Sequence, residues 1–473
     1  MIEREADRIR GQRELSCAEE LTWRNECENQ RRVPFLECPR SMATVVRTTG
    51  PLNIRALADA VNGILRRHSV LRSAFRETNG HLERSIVPCV EQDLLEIDCL
   101  GSLDDSQDDH AVALVLPELN SPWNLADGPL LRTRILKLGR RRHLVAVIAH
   151  HIVFDGVSRR VLARELSSLY GQHAGIAAGG GEWPRDAASY SDYVVWQRDQ
   201  LTGSTFANGR KYWMERLDGL SNAPLTGTGL RLASAADLAS GVQSRHFVVS
   251  SESAEALRAF SRLHSVTMAM SVLALFTLLV HTVNGATDIS IGVVVTDRPH
   301  RKFEHVIGLF MNVLAVRTEV IHSLTLAGFV RQVRENFATA YEHREIPYGR
   351  LVEMLKAEHG DAYLPCRAIL NYNNVPAPTI ALPGLVCEAV GVTGPLESIA
   401  DVGLHVRDIG GPLKCSLAAS DALFSEAELF DATNRFACLS SALVRAGSKT
   451  TVGDVLCEWT RYKAGLAFPG TST

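Results

Sequence analysis

Neither sign of charge prevails in this chain of 473 residues: 50 Lys and Arg stand against 53 Asp and Glu, a net charge of −3 at neutral pH. That leaves no basic field to draw in nucleic acid or an anionic membrane. Cysteine occurs ten times but never as a Cys-x-x-Cys pair, so neither a metal site nor a dense disulfide framework is legible. The opening residues, Met1 to Arg8, are charged and lack the apolar core of a signal peptide. Together these absences predict a reduced, cytoplasmic protein. Only one apolar run is long enough to raise the question of a membrane: residues 266–283 just match a bilayer in length. Ser271, Thr277 and His281 interrupt it, and soluble patterns flank it. It is expected to be a buried helix under a sheet. The length allows two or three domains.

What is there is organised around His150-His151-Ile152-Val153-Phe154-Asp155-Gly156. An apolar run from Leu144 to Ala149 leads into it, short and rich enough in β-branched residues to be a buried strand. Beyond it, Val161, Leu162, Glu165, Leu166 and Leu169 repeat at helical spacing. The stretch therefore sits at a strand-to-helix turn, where rigid elements present side chains to a cleft. A neutral imidazole takes a proton from an amine or hydroxyl as it attacks a carbonyl, and His151 is the candidate. His150 points elsewhere. Asp155 either orients the loop or forms half of a structural ion pair. Gly156 removes a side chain where backbone turns or approaches a substrate, and its N–H could face a developing oxyanion.

The pattern of two histidines, three residues, Asp and Gly at such a junction resembles the signature of the condensation domains of nonribosomal peptide synthetases, within the chloramphenicol-acetyltransferase-like acyltransferases. Further stretches resemble that family's motifs in order. Ser16 and Trp23 fit the first, although its Gln-Arg pair is missing. Arg67-His68-Ser69-Val70-Leu71-Arg72-Ser73-Ala74-Phe75 resembles the second and is expected to cap a helix (residues 53–67) and start a strand. The turn Trp123 to Leu130 precedes a strand to Leu138. Tyr190-Ser191-Asp192-Tyr193-Val194-Val195-Trp196 resembles the fourth, in a helix expected to run on to Tyr212 and Trp213. Ile307-Gly308-Leu309-Phe310-Met311-Asn312 resembles the fifth, with Gly308 permitting a tight bend. Pro347 marks the sixth. Gly/Ala-rich residues 175–181 read as a linker, and residues 219–241 as a second soft stretch.

The resemblance implies an α/β fold of two chloramphenicol-acetyltransferase-like α/β sandwich lobes in a V-shaped pseudo-dimer. The lobes would be residues 1–180, carrying the histidine motif, and 181–473, with crossover and latch-type segments. It implies a condensation enzyme that moves an acyl or aminoacyl group from a carrier protein's phosphopantetheine thioester to an amine or alcohol, with no bound cofactor and no metal. His151, Gly156, His150 and Asp155 are the catalytic candidates. Ser158 and Asn312 are candidate substrate contacts, although for Asn312 satisfying backbone is the favoured reading. Arg298 is expected to pair with Asp155 across the lobes, and Arg67 to give structural support. No adenylation motif or carrier domain is visible, so the chain reads as free-standing or as an excised domain. Rival readings are a coenzyme A-dependent acyltransferase of the same fold, an epimerisation domain, a non-catalytic carrier-docking module and, more distantly, a metal hydrolase.

Overall fold

The run that ends at His150 is the central strand of a five-stranded sheet. A computed structural model describes residues 10–32, 41–92, 94, 96–98, 108–176, 188–221, 225, 242–360, 363–376, 378–392, 400–445 and 447–463. Its strands are β1 (Ser41–Thr49), β2 (Ser73–Thr78), β3 (His81–Ile86), β4 (Glu96–Asp98), β5 (Leu131–Gly139), β6 (Arg142–His150), β7 (Val242–Val249), β8 (Asp288–Thr296), β9 (Met311–Glu319), β10 (Ala368–Asn373), β11 (Val386–Val390), β12 (Val402–Arg407) and β13 (Leu413–Ser420). The chain divides into two units. The first comprises residues 1–203, 296–311 and 377–395; the second holds the remainder. Most of the linker expected at 175–181, the soft stretch at 219–241 and the charged start lie outside the described residues.

In the first unit the sheet order is β11-β1-β6-β5-β4. β6 is antiparallel to both β1 and β5, and a tight turn at Arg140 and Arg141 joins β5 to β6. From His143 to His150 every residue of β6 is buried. A strand covered on both faces needs no alternation, which is why it reads as a continuous apolar run. Leu144, Ala146 and Ile148 pack with Val115 and Leu119 of helix 108–119, whereas Val145, Val147 and Ala149 join the core built by helices 54–67 and 156–173. The helix over 54–67 forms as expected, with Asn53 Oδ1 accepting from the Ala56 N–H at its start.

Two expectations need correction here. The first lobe does not end at residue 180, because residues 181–203 and two segments from the second half of the sequence belong to the first unit. The helix from Tyr190 also stops at Gln200, and a separate one spans Ser204–Leu217. Thr202, Gly203 and Ser204 are weak helix formers, and the unit boundary falls among them.

Gly308 lies at a bend, as expected, and close packing also requires it to be glycine. A Cβ built there would lie 2.0 Å from Tyr190 Cδ2. The Tyr190 ring cannot yield, since its hydroxyl bonds Ser16 Oγ at 2.8 Å and donates to Leu309 O at 2.7 Å, and Phe310 meets it edge-on. Gly308→Ala is expected to cost about 1–3 kcal/mol through overpacking, seen as a lower denaturant midpoint.

The second unit holds a six-stranded sheet in the order β7-β13-β12-β10-β8-β9. The apolar run is the helix Met268–Asn284, with residues 271–280 all buried. Phe276, Leu279 and Val280 line one small cavity together with Val402 and Leu417 of the sheet, as expected of a helix lying under a sheet. No single helix among the described residues is long and apolar enough to cross a membrane.

Candidate active site

At the end of β6 the chain makes one 3-10 turn, His151–Val153, and then enters the helix Gly156–His173. Two reciprocal contacts close this loop. Phe154 N donates to His151 O at 3.1 Å, and His151 Nδ1 lies 2.6 Å from Phe154 O. A carbonyl oxygen only accepts, so Nδ1 carries the proton, and a neutral ring then holds its basic lone pair on Nε2. His151 is half-buried, whereas His150 is wholly buried. His150 Nδ1 accepts the Ile152 N–H at 3.1 Å, so the two rings serve different ends, as expected.

Asp155 caps the helix through Oδ1, which accepts from Ser158 N at 2.7 Å. Both its oxygens also take Arg298: Nη1 to Oδ2 at 3.0 Å and Nη2 to Oδ1 at 3.2 Å. Phe310 N adds a fourth donor at 3.2 Å. The expected Arg298–Asp155 pair is present, but both residues belong to the first unit, so it does not run across the lobes. Arg298 further donates to Phe303 O and Val306 O and lies over the Phe310 ring at 4.1 Å. With side chains only 7% and 3% exposed, this fork-to-fork pair lies out of water, where both charges need their full set of partners.

Neither candidate substrate contact is open to a ligand, and Asn312 takes the backbone role favoured for it. Ser158 Oγ donates to Gly308 O at 2.8 Å and accepts from Gly308 N at 3.0 Å, with no side-chain exposure to spare. Asn312, in the second unit, donates to Arg344 O and Ile346 O and accepts from Val313 N and Tyr348 N. It secures the backbone around Pro347 and has no capacity left for a ligand. Arg67 lies 3.4 Å from Glu165 Oε2, and His68 Nε2 lies 2.7 Å from the same oxygen. The motif around Arg67 thus ties helix 54–67 to the helix that follows the histidine loop. Gly156 is exposed, and a Cβ there would meet nothing within 4 Å. As the first residue of its helix, its N–H has no intrahelical acceptor.

Ser16 and Glu19 form a reciprocal capping box: Glu19 N donates to Ser16 Oγ and Ser16 N to Glu19 Oε2. Arg84 donates to Glu19 Oε1 at 2.9 Å. Burial raises the Glu19 carboxyl, opposed by the Arg84 charge. Burial also pushes the Tyr190 hydroxyl well up. Among the described residues no group of three or more His, Cys, Asp or Glu side chains could hold a metal ion. The residue that sequence reasoning missed is Glu26, on the helix Cys17–Arg32, whose Oε2 lies 3.2 Å from His150 Nε2. That helix is mostly polar beyond Trp23, and nothing in its spacing marks Glu26 out.

A histidine loop on a buried strand, locked by a buried Asp–Arg fork, is the candidate site of this α/β protein. The condensation domain family matches residues 40–451, and the chain belongs to that family, whose members are amide-forming acyltransferases of nonribosomal peptide synthesis. It is 31% identical over 333 residues to one of the linear gramicidin synthase proteins of Brevibacillus parabrevis, a match that covers 69% of this chain and 4% of that protein. The cyclosporin synthetase of Tolypocladium inflatum is likewise 31% identical, over 322 residues, covering 67% of this chain and 2% of the synthetase. The chain thus spans only a small part of such relatives. Among solved structures, the X-domain from teicoplanin biosynthesis superposes with a TM-score of 0.78 at 19% identity, over 93% of this chain and 96% of that one. The fold is therefore the expected chloramphenicol-acetyltransferase-like one.

Proposed function

We propose that this chain is a catalytically competent condensation domain that transfers an acyl or aminoacyl group from the phosphopantetheine thioester of a carrier protein to an amine or alcohol. The observation that carries this reading is the fixed His151 ring: Nδ1–H is spent on Phe154 O, which leaves Nε2 as the base. As the nucleophile attacks the thioester carbonyl, its proton moves to Nε2. The new C–N or C–O bond forms, the tetrahedral oxyanion draws on the Gly156 N–H, and the C–S bond breaks as the thiol leaves with the proton. Asp155 and Arg298 hold the loop and touch no reacting atom. The scattered cysteines, seven of them free thiols among the described residues, suit a reducing cytoplasm.

The test is single-turnover transfer from a phosphopantetheinylated carrier protein, and from coenzyme A, to a panel of free and carrier-bound amines and alcohols, with product followed by mass. Transfer from the carrier alone supports the reading. Equal transfer from coenzyme A replaces it with a general acyltransferase. No transfer with carrier binding intact replaces it with a docking module.

Gly156→Ala separates this role from folding. The added methyl meets no atom in the structure, so the melting temperature should stay within about 1 °C of wild type. Transfer should fall by roughly tenfold or more as the methyl enters the space of the tetrahedral centre. Unchanged transfer would remove Gly156 from the mechanism.

A further inference from the structure

His150 carries a constraint that His151 does not. Its Nδ1 accepts the Ile152 N–H, and an accepting ring nitrogen bears no proton. The proton of the neutral ring is therefore on Nε2. That atom is buried and makes no aligned hydrogen bond among the described residues. One acceptor lies in range, Glu26 Oε2 at 3.2 Å, off the line of an ideal hydrogen bond. The Glu26 oxygen is itself buried without a hydrogen-bond partner among the described residues, and its side chain is 14% exposed.

The surroundings leave the ring little choice. The edge of Trp123 meets it with centroids 5.8 Å apart. Trp123 is itself held, by Nε1–H to Ser41 Oγ at 2.8 Å and by the Arg132 guanidinium 3.8 Å from its ring centre. A buried N–H and a buried carboxylate oxygen, each lacking another partner among the described residues and 3.2 Å apart, satisfy one another after a small rotation of the carboxylate.

We propose that Glu26 is a positioning residue for the transfer reaction. It accepts from His150 Nε2–H, which fixes the tautomer that leaves Nδ1 to accept from Ile152. That contact in turn holds the single turn that presents His151. This rests on the reading of His151 as the base. An acidic residue on the N-terminal helix thus acts on the reaction through two intermediaries and touches no substrate.

The test compares Glu26→Ala with Glu26→Gln, whose side-chain oxygen still accepts from Nε2–H. With a carrier-bound donor, Glu26→Ala should lower kcat by about tenfold with KM within about twofold, and Glu26→Gln should stay within about threefold of wild type. Long-range ring correlations in 15N-histidine-labelled protein should show His150 protonated at Nε2 in wild type and in Glu26→Gln, and a mixture of tautomers in Glu26→Ala. Rescue by Gln is an outcome that a purely structural carboxylate would not give. Wild-type rates in Glu26→Ala, equal loss in both variants, or a wild-type His150 protonated at Nδ1 overturn the proposal. A wild-type protein that transfers no acyl group overturns the functional reading instead, and the ring correlations then decide the Glu26 contact alone.

Discussion

His151→Ala lowers the single-turnover rate of acyl transfer by about 10²–10⁴-fold, the range expected when a positioned general base is removed. Its effect on stability is small. The ring is half-buried, and the substitution gives up the hydrogen bond from Nδ1 to Phe154 O, worth about 1 kcal/mol net. Water reaches a half-buried site and takes over the carbonyl. The loop is meanwhile held by the Asp155 cap and the Phe154 N to His151 O bond, which do not depend on the imidazole. Carrier binding should be unchanged, so the loss falls on the chemical step. The measurement is product formation by mass alongside carrier affinity and a melting curve. A variant that keeps most of its rate would remove His151 as the base, whatever the motif suggests.

Asp155→Ala acts in the opposite sense, on the fold before the chemistry. It leaves the Arg298 guanidinium, only 7% exposed, without its carboxylate. It also strips the cap from the helix Gly156–His173 and the acceptor from Phe310 N. Breaking one side of a buried ion pair costs about 3–5 kcal/mol. Arg298→Ala should cost a similar amount, since it strands the buried carboxylate. The double variant should lose clearly less than the two singles summed, because the second removal meets a partner already lost. Urea unfolding of all four proteins measures the coupling. Single-variant losses below about 1 kcal/mol would show that the pair is not the lock the geometry describes.

The local chemistry of the loop was legible because strand burial and helical spacing are local signals. β6, the helix after it and the buried helix at 268–284 follow directly from apolar periodicity. Partners distant in sequence leave no such trace. The Arg298–Asp155 pair came from resemblance alone, and its place within one unit could not be read that way. Ser158 sits where a ligand contact is plausible by position, yet its hydroxyl is taken by Gly308, 150 residues later. The bend at Gly308 was legible in sequence, but nothing there says that Tyr190 will press against it. β11 is five residues with no alternation, and only its pairing with β1 makes it a strand. Glu26 lies among other charged residues and acquires meaning only from the buried ring beside it.

The interlaced order of the first unit has a consequence for the protein's birth. Its first 203 residues, Asp155 among them, emerge from the ribosome with Arg298 still to be made. The two are 143 residues apart. At about 5–20 residues per second this is a delay of roughly 7–30 s. β11 is translated later still, so the edge of β1 that it covers stands open in the meantime. A nascent chain in that state presents an unpaired strand edge and a half-made ion pair, the two features that invite chaperones. Residues 296–311 and 377–395, made later and interleaved with the second unit, complete the first. A truncation after residue 203 should therefore behave as a folding intermediate rather than as a domain.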